Sequence, residues 1–334
     1  MFGTRNLLLF VASGILLNLT PEQETLYILG RSIAQGRRAG VLSVLGITKL
    51  AAQLQAMLTR YGFTTVIDTA SLLANTLAIR RRIGTGEVAG PRILTAGLGL
   101  YPPDAIPYYV KDAVPPDLLR LLPQPSTAAR ATEIVRMNLD GGADIVKLFT
   151  GSWVSRQQVV PMPVAVASAA VSEAHRRGRL VFTHPSNVAG LEVALDARVD
   201  VLAHAIDDTQ GLTPEHLKRM KAQGVALVPT LRLLAFNGRR EVLDQVRDYA
   251  RSGGQILFGT DVGYLPDYDP VREYELMEAA GLTWRQILAS LTAEPARRFN
   301  ENRRRGRLAR GMDGDVVVLG ADPMRGSRAF ADVC

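Results

Sequence analysis

The chain has 334 residues, 47% hydrophobic and 21% charged, with a formal net charge of +7; this is the make-up of a globular protein with one large domain or two smaller ones. The basic excess gathers in Arg80–Arg82, Gly238–Arg240 and Glu301–Gly311 and reads as solvated helix ends and loops; with no zinc-finger spacing or aromatic–basic motif, no nucleic-acid partner is expected. The single cysteine, Cys334, excludes an intrachain disulfide and a thiolate zinc cluster, so a metal would need histidine, carboxylate or a modified side chain.

In chain order, Arg5 precedes the apolar run Leu7–Leu17. The run is too short for a transmembrane helix. It has the look of a signal peptide, but no A-x-A-type site follows, so it reads as a buried strand or short helix and the protein as cytoplasmic rather than exported. The strand-like run Val41–Ile47 comes next, then a helix over Thr48–Gly62 closed by its glycine. Thr64–Asp68 is a strand followed by a helix over Leu72–Gly84. Arg92–Gly97 is a third strand, with the proline-rich loop Leu100–Asp117 and a helix over Ala128–Gly142 after it. The fourth, Asp144–Thr150, sets Lys147 among the apolar Ile145, Val146, Leu148 and Phe149, and an unpaired ammonium in such a run is costly. Strands at Leu180–His184, Val199–His204, Val225–Thr230 and Ile256–Asp261 alternate with helices up to Trp284–Phe299.

Eight strand-like runs, each followed by a helical segment, predict an α/β fold of the (β/α)8 TIM-barrel type. An open doubly wound sheet would carry a G-x-G-x-x-G turn, and none occurs. The expected organisation is an atypical N-terminal segment at 1–40, the barrel at 41–300, and a small partial β-sandwich appendage at 301–334 containing the strand Asp315–Gly320.

Barrel enzymes gather their chemistry at the C-terminal ends of the strands. There stand Lys147, His184, His204 and Asp261. His175 and His216 fall on helices and read as solvated or helix-end residues. Taken singly, His184 and His204 are core histidines bonded to a backbone carbonyl. Taken with the strand lysine Lys147 and the strand-end aspartate Asp261, they read as metal ligands: two neutral imidazoles and an anionic oxygen suit one divalent ion, zinc first, manganese or iron otherwise. Tyr101, Tyr108, Tyr109 and Trp153 follow the third and fourth strands and form either a substrate-binding wall or packing.

The segments "YGFTTVIDTAS", "GPRILTAGLGLYPP", "GADIVKLFTGSW", "AHRRGRLVFTHPSN", "VDVLAHAI", "GTDVG", "LTAEPARRF" and "GMDGDVVVLGADP" occur in this order. The chain thereby resembles the amidohydrolase superfamily, in its imidazolonepropionase and Xaa-Pro dipeptidase-like branch. The resemblance implies that Lys147 is carboxylated by CO2 to a carbamate, an anionic ligand. The alternative is an unmodified Lys147 paired with Asp261 or Asp144. The resemblance also implies hydrolysis of an amide or cyclic amide bond in a small molecule or dipeptide, with Asp261 as base; the sequence leaves a homo-oligomer open.

One departure matters. Members carry an H-x-H pair on the first strand, and none occurs here. The chain reads as a trimmed or truncated member. Its first strand, within residues 7–47, is expected to offer neutral side chains such as Leu17, Asn18 or Ser43. The expectation is therefore a mononuclear hydrolase, and the competing one a catalytically inactive barrel acting as a binding module.

Overall fold

The computed structural model describes residues 49–114, 116–234, 240–265 and 267–334. The apolar run Leu7–Leu17, the strand Val41–Ile47 and the first-strand positions Leu17, Asn18 and Ser43 lie outside the described residues. The strands are β1 (Thr65–Asp68), β2 (Arg92–Thr95), β3 (Val146–Phe149), β4 (Gly151–Ser155), β5 (Gln158–Pro161), β6 (Val181–His184), β7 (Val201–Leu202) and β8 (Ala226–Leu227).

β1 pairs in parallel with β2, and β3, β6, β7 and β8 form a parallel sheet in that order. Two bridges extend the ladder. Leu100 pairs with Leu148, its N–H donating to the Lys147 carbonyl at 2.9 Å, and Leu227 pairs with Ile256. The parallel segments thus follow one another in chain order from β1 to Ile256. The two ends of this ladder approach each other, since Phe63 stacks on Phe258 with centroids 5.6 Å apart.

β3, β6, β7 and β8 are buried along their whole length, as parallel strands covered on both faces must be. One face packs under the helices: Val146, Leu148 and Val181 join Ala131, Val135, Ala167, Ala170 and Ala174 in one core. The small residues let the helices Ala128–Asp140 and Val164–Arg176 lie close together. On the other face Ile145, Phe182, Val201, Ala226 and Leu257 form a second cluster. Helix ends follow local chemistry. Gly62 ends a turn at φ 77°, and Asn187 and Thr283 accept from the free amides of Gly190 and Gln286.

Two expectations are corrected. The segment Ile256–Asp261 makes one bridge and no longer strand. Asp315–Gly320 forms no strand either. Val316, Val317 and Val318 are exposed, and the appendage reduces to an antiparallel bridge between Leu319 and Val333 with short 3-10 turns beside it. A hairpin, β4–β5, which the sequence reading did not assign, follows β3. It is locked against the turn after β6: a Cβ on either Gly151 or Gly190 would overlap the Pro185 carbonyl oxygen.

Candidate active site

Side chains alternate across a strand, so Lys147 and Phe149 share one face of β3. Phe149 pairs with His184 and Lys147 with Phe182 across β3–β6, and Phe182 belongs to the cluster opposite the helices. Lys147 and His184 therefore both face away from the helical layer. Thr150 and Thr183 fix this register beneath them, with their hydroxyls 2.9 Å apart and the Thr150 N–H donating to Thr183 Oγ1. His204 lies two residues beyond β7 on a bend that carries its ring to His184, edge to face, with centroids 4.5 Å apart. Gln245 pins the backbone just after it, accepting from Ile206 N and donating to Ile206 O at 2.9 and 3.2 Å.

Lys147, His184 and His204 are 2%, 8% and 7% exposed. Burial pushes the Lys147 ammonium down to about 8, opposed by Asp261. Burial, then the Lys147 charge, pushes His184 down to about 3. Burial, His184 and Lys147 hold His204 well below the usual histidine range. Both rings are thus neutral at neutral pH, the form in which imidazole binds a metal. Asp261, at φ 57°, is raised by burial and lowered by Lys147. His204 and Asp261 line a cavity of about 300 Å³ together with Asp68 and Thr230.

Asp144 is removed as a partner for Lys147. It is bound to Arg80 at 2.6 Å and accepts from Thr95 N at 3.0 Å. His175 and His216 hold Asp200 and the Thr213 N–H respectively, away from the cluster.

Tyr101 is buried and stacks on Phe149 with centroids 4.3 Å apart, and Phe149 stacks on His184 at 5.3 Å. Tyr109 meets Tyr108 and Tyr264 edge to face at 5.5 and 6.0 Å. Its phenol is raised by burial and by nearby charges that include Asp261. Trp153 stands on β4, its Nε1 buried and without a hydrogen-bond partner.

Sequence reasoning passed over Thr230, Glu273, Gln245 and Asp68. The Asp68 carboxylate ends β1 and accepts from Ser71 and Thr76 hydroxyls at 2.8 and 2.6 Å. Thr230 Oγ1 lies 2.9 Å from His204 Nδ1. Its place at the end of the seventh strand-like run was the available signal.

The metal fit turns on Lys147. Among the described residues no group of three or more His, Cys, Asp and Glu could hold a metal ion. As an ammonium, Lys147 would repel a dication from the two neutral imidazoles beside it. Two imidazoles beside a carbamate supply three donors of the right kind. The residues fit an ion when Lys147 is carboxylated.

Parallel strands whose C-terminal ends bring buried ionisable groups together are the architecture of an enzyme. A sequence model of the amidohydrolase family matches residues 48–329, and the chain belongs to that family. No curated protein matches the chain. Among solved structures it is similar to a Xaa-Pro dipeptidase with bound methionine, with 21% identity, a TM-score of 0.73, and 90% of this chain and 78% of the other covered. It is also similar to ochratoxinase of A. niger (19% identity, TM-score 0.70, 90% and 73% covered). Molinate hydrolase is a third (18%, 0.69, 98% and 79%). At these identities the likeness establishes the fold. Among the described residues no helix is long and apolar enough to cross a membrane.

Proposed function

We propose that the protein is a metal-dependent hydrolase of a carbon–nitrogen bond, amide or cyclic amide, in a small molecule or dipeptide. The observation that carries this reading is the meeting of Lys147, His184 and His204 in one buried cluster whose charges act on one another and on Asp261. In this reading the parallel ladder closes as a (β/α)8 barrel with residues 301–334 as its appendage.

Lys147, His184 and His204 would hold one divalent ion, with zinc the first candidate. Its chemistry is Lewis-acid activation of water and of the scissile carbonyl. The chain's own residues do the rest. The Lys147 amine, brought down to about 8, adds to the carbon of CO2 and loses a proton, leaving a carbamate. Asp261, raised by its burial, takes a proton from the attacking water and returns it to the leaving nitrogen. Tyr101, Tyr109 and Trp153 wall the substrate, with the unpartnered Trp153 N–H free to donate to a substrate oxygen. Xaa-Pro dipeptides and N-acyl amino acids are the first substrates to assay, by analogy with the solved relatives.

The absence of an H-x-H pair favours a second reading, an inactive barrel that binds a small molecule. Metal analysis of the purified protein separates the two. About one equivalent of divalent ion with turnover of a C–N substrate supports the hydrolase; no metal after loading supports the inactive barrel.

A further inference from the structure

Thr230 stands in an N-cap position. It precedes the short helix Leu231–Leu234, and its carbonyl accepts from Leu233 N and Leu234 N at 3.0 and 3.2 Å. A threonine there ordinarily turns its hydroxyl onto the free amides of the helix. Thr230 does otherwise. Its backbone is held at φ 44°, which a β-branched residue avoids, and its Oγ1 lies 2.9 Å from His204 Nδ1. The free amides are bound from elsewhere. Leu231 N and Arg232 N donate to the two oxygens of Glu273 at 2.8 and 2.7 Å. Glu273 is 0% exposed on the helix Val271–Ala279, where a carboxylate without partners would be strongly disfavoured. The hydrolytic reading gives it no task.

We propose that Glu273 and Thr230 are positioning residues for His204: the carboxylate caps the turn in place of Thr230, and the freed hydroxyl accepts from His204 Nδ1–H, so that Nε2 keeps its lone pair for the cavity. The assignment deepens the proposed function, because it states which ring nitrogen serves as ligand and what holds it. The geometry is that of a relay of three links: a buried carboxyl cap, a strained turn and an oriented ring. Such outer partners fix a ligand's tautomer and commonly change metal affinity 10–100-fold when removed.

The test uses histidine-selective 15N labelling, which has four residues to resolve. In the metal-free wild-type protein His204 is expected as one tautomer, protonated on Nδ1. Thr230→Ala should give a mixture at His204 and leave His184 as it was; Thr230→Ser, which keeps the hydroxyl, should restore the single form. Glu273→Gln keeps one of two acceptor oxygens. It should shift the His204 signals in the same direction and weaken zinc binding, followed by calorimetry, about 10–100-fold. A proton on Nε2 in the wild type, or an unchanged tautomer in Thr230→Ala, overturns the relay. A Glu273→Gln protein that melts earlier but keeps tautomer and zinc affinity overturns the role of Glu273. Wild-type protein that takes up no zinc would defeat the hydrolase reading alone, since the tautomer is read without metal.

Discussion

Lys147 and Asp261 moderate each other's burial. Asp261 pulls the lysine up against the desolvation that brings it to about 8, and Lys147 pulls the aspartate down against the desolvation that raises it. A lysine so placed keeps a neutral fraction near pH 8, and that fraction is the one that reacts with CO2. Protein equilibrated with 13C-labelled bicarbonate near this pH should show one carbamate carbon by NMR, missing in Lys147→Ala. No such signal in the wild type, with or without zinc, would leave Lys147 an ammonium paired with Asp261 and remove the third donor.

Asp261→Asn should abolish turnover and leave the fold intact. Asparagine tolerates the left-handed φ of 57° as readily as aspartate does, so the backbone has no reason to shift. The pair of measurements is kcat on a C–N substrate and the melting temperature. Retained kcat with a loss of about 1 kcal/mol in stability would mark Asp261 as a capping residue instead.

Without an H-x-H pair, an ion beside Asp261 lacks two neutral ligands, and aspartate with a shared carbamate is too small a donor set for a stable tetrahedral site. At most one tightly held divalent ion per chain is expected after dialysis, with weak activity until metal is added. Elemental analysis for zinc, manganese and iron decides this. Two equivalents retained would require a ligand set beyond Lys147, His184 and His204.

Glu273 should leave a pH signature. Burial raises it from 4.5 to about 7, against the pull of the Arg232 and Leu231 amides and of the Arg232 charge. Between those values the folded protein holds a proton that the unfolded chain has released. The contribution is therefore most favourable below the unfolded value and is lost as pH rises through the folded one, by up to about 3 kcal/mol in total. Glu273→Gln has no proton to lose. Urea midpoints at about pH 5 and pH 8 should show the wild type losing more stability than the variant over that interval; parallel losses would contradict the buried titration.

A methyl group at Gly190 would overlap the Pro185 carbonyl oxygen and approach the backbone of Gly151. Gly190→Ala should destabilise the protein by about 1–3 kcal/mol or more through overpacking, and disturb His184 one residue before Pro185. Thermal melts and the His184 15N signals report the two effects. An unaltered melt would show that the crossing is looser than its geometry.

Much of the architecture was legible because buried parallel strands are near-continuous apolar runs. Lys147 stood out for the same reason, as a cation inside one of them. The β4–β5 hairpin was not legible: its Arg156–Gln157 turn lacks the Asn-Gly or Asp-Gly signal of a tight hairpin. Val316–Val318 misled in the opposite way. Three valines in a row read as a strand, yet pairing needs a neighbouring edge, and these residues are 59%, 41% and 60% exposed. His184, His204 and Asp261 could be picked out as strand-end residues. Glu273 could not, since a glutamate on an amphipathic helix ordinarily faces solvent and its partners lie 41 and 42 residues away in the chain.

The crossing of Gly151, Pro185 and Gly190 joins the hairpin that bears Trp153 to the strand end that bears His184. Those two parts cannot slide past each other, so the hairpin and the histidine's strand end move as one piece. Tyr109, on the helix that begins at Tyr108, instead meets Tyr264 edge to face from a different part of the chain. Under the proposed function, substitutions meant to change the accepted substrate are best tried at Tyr109, the adjustable jaw of the pair, because a change of ring size there leaves the histidine's seat in place.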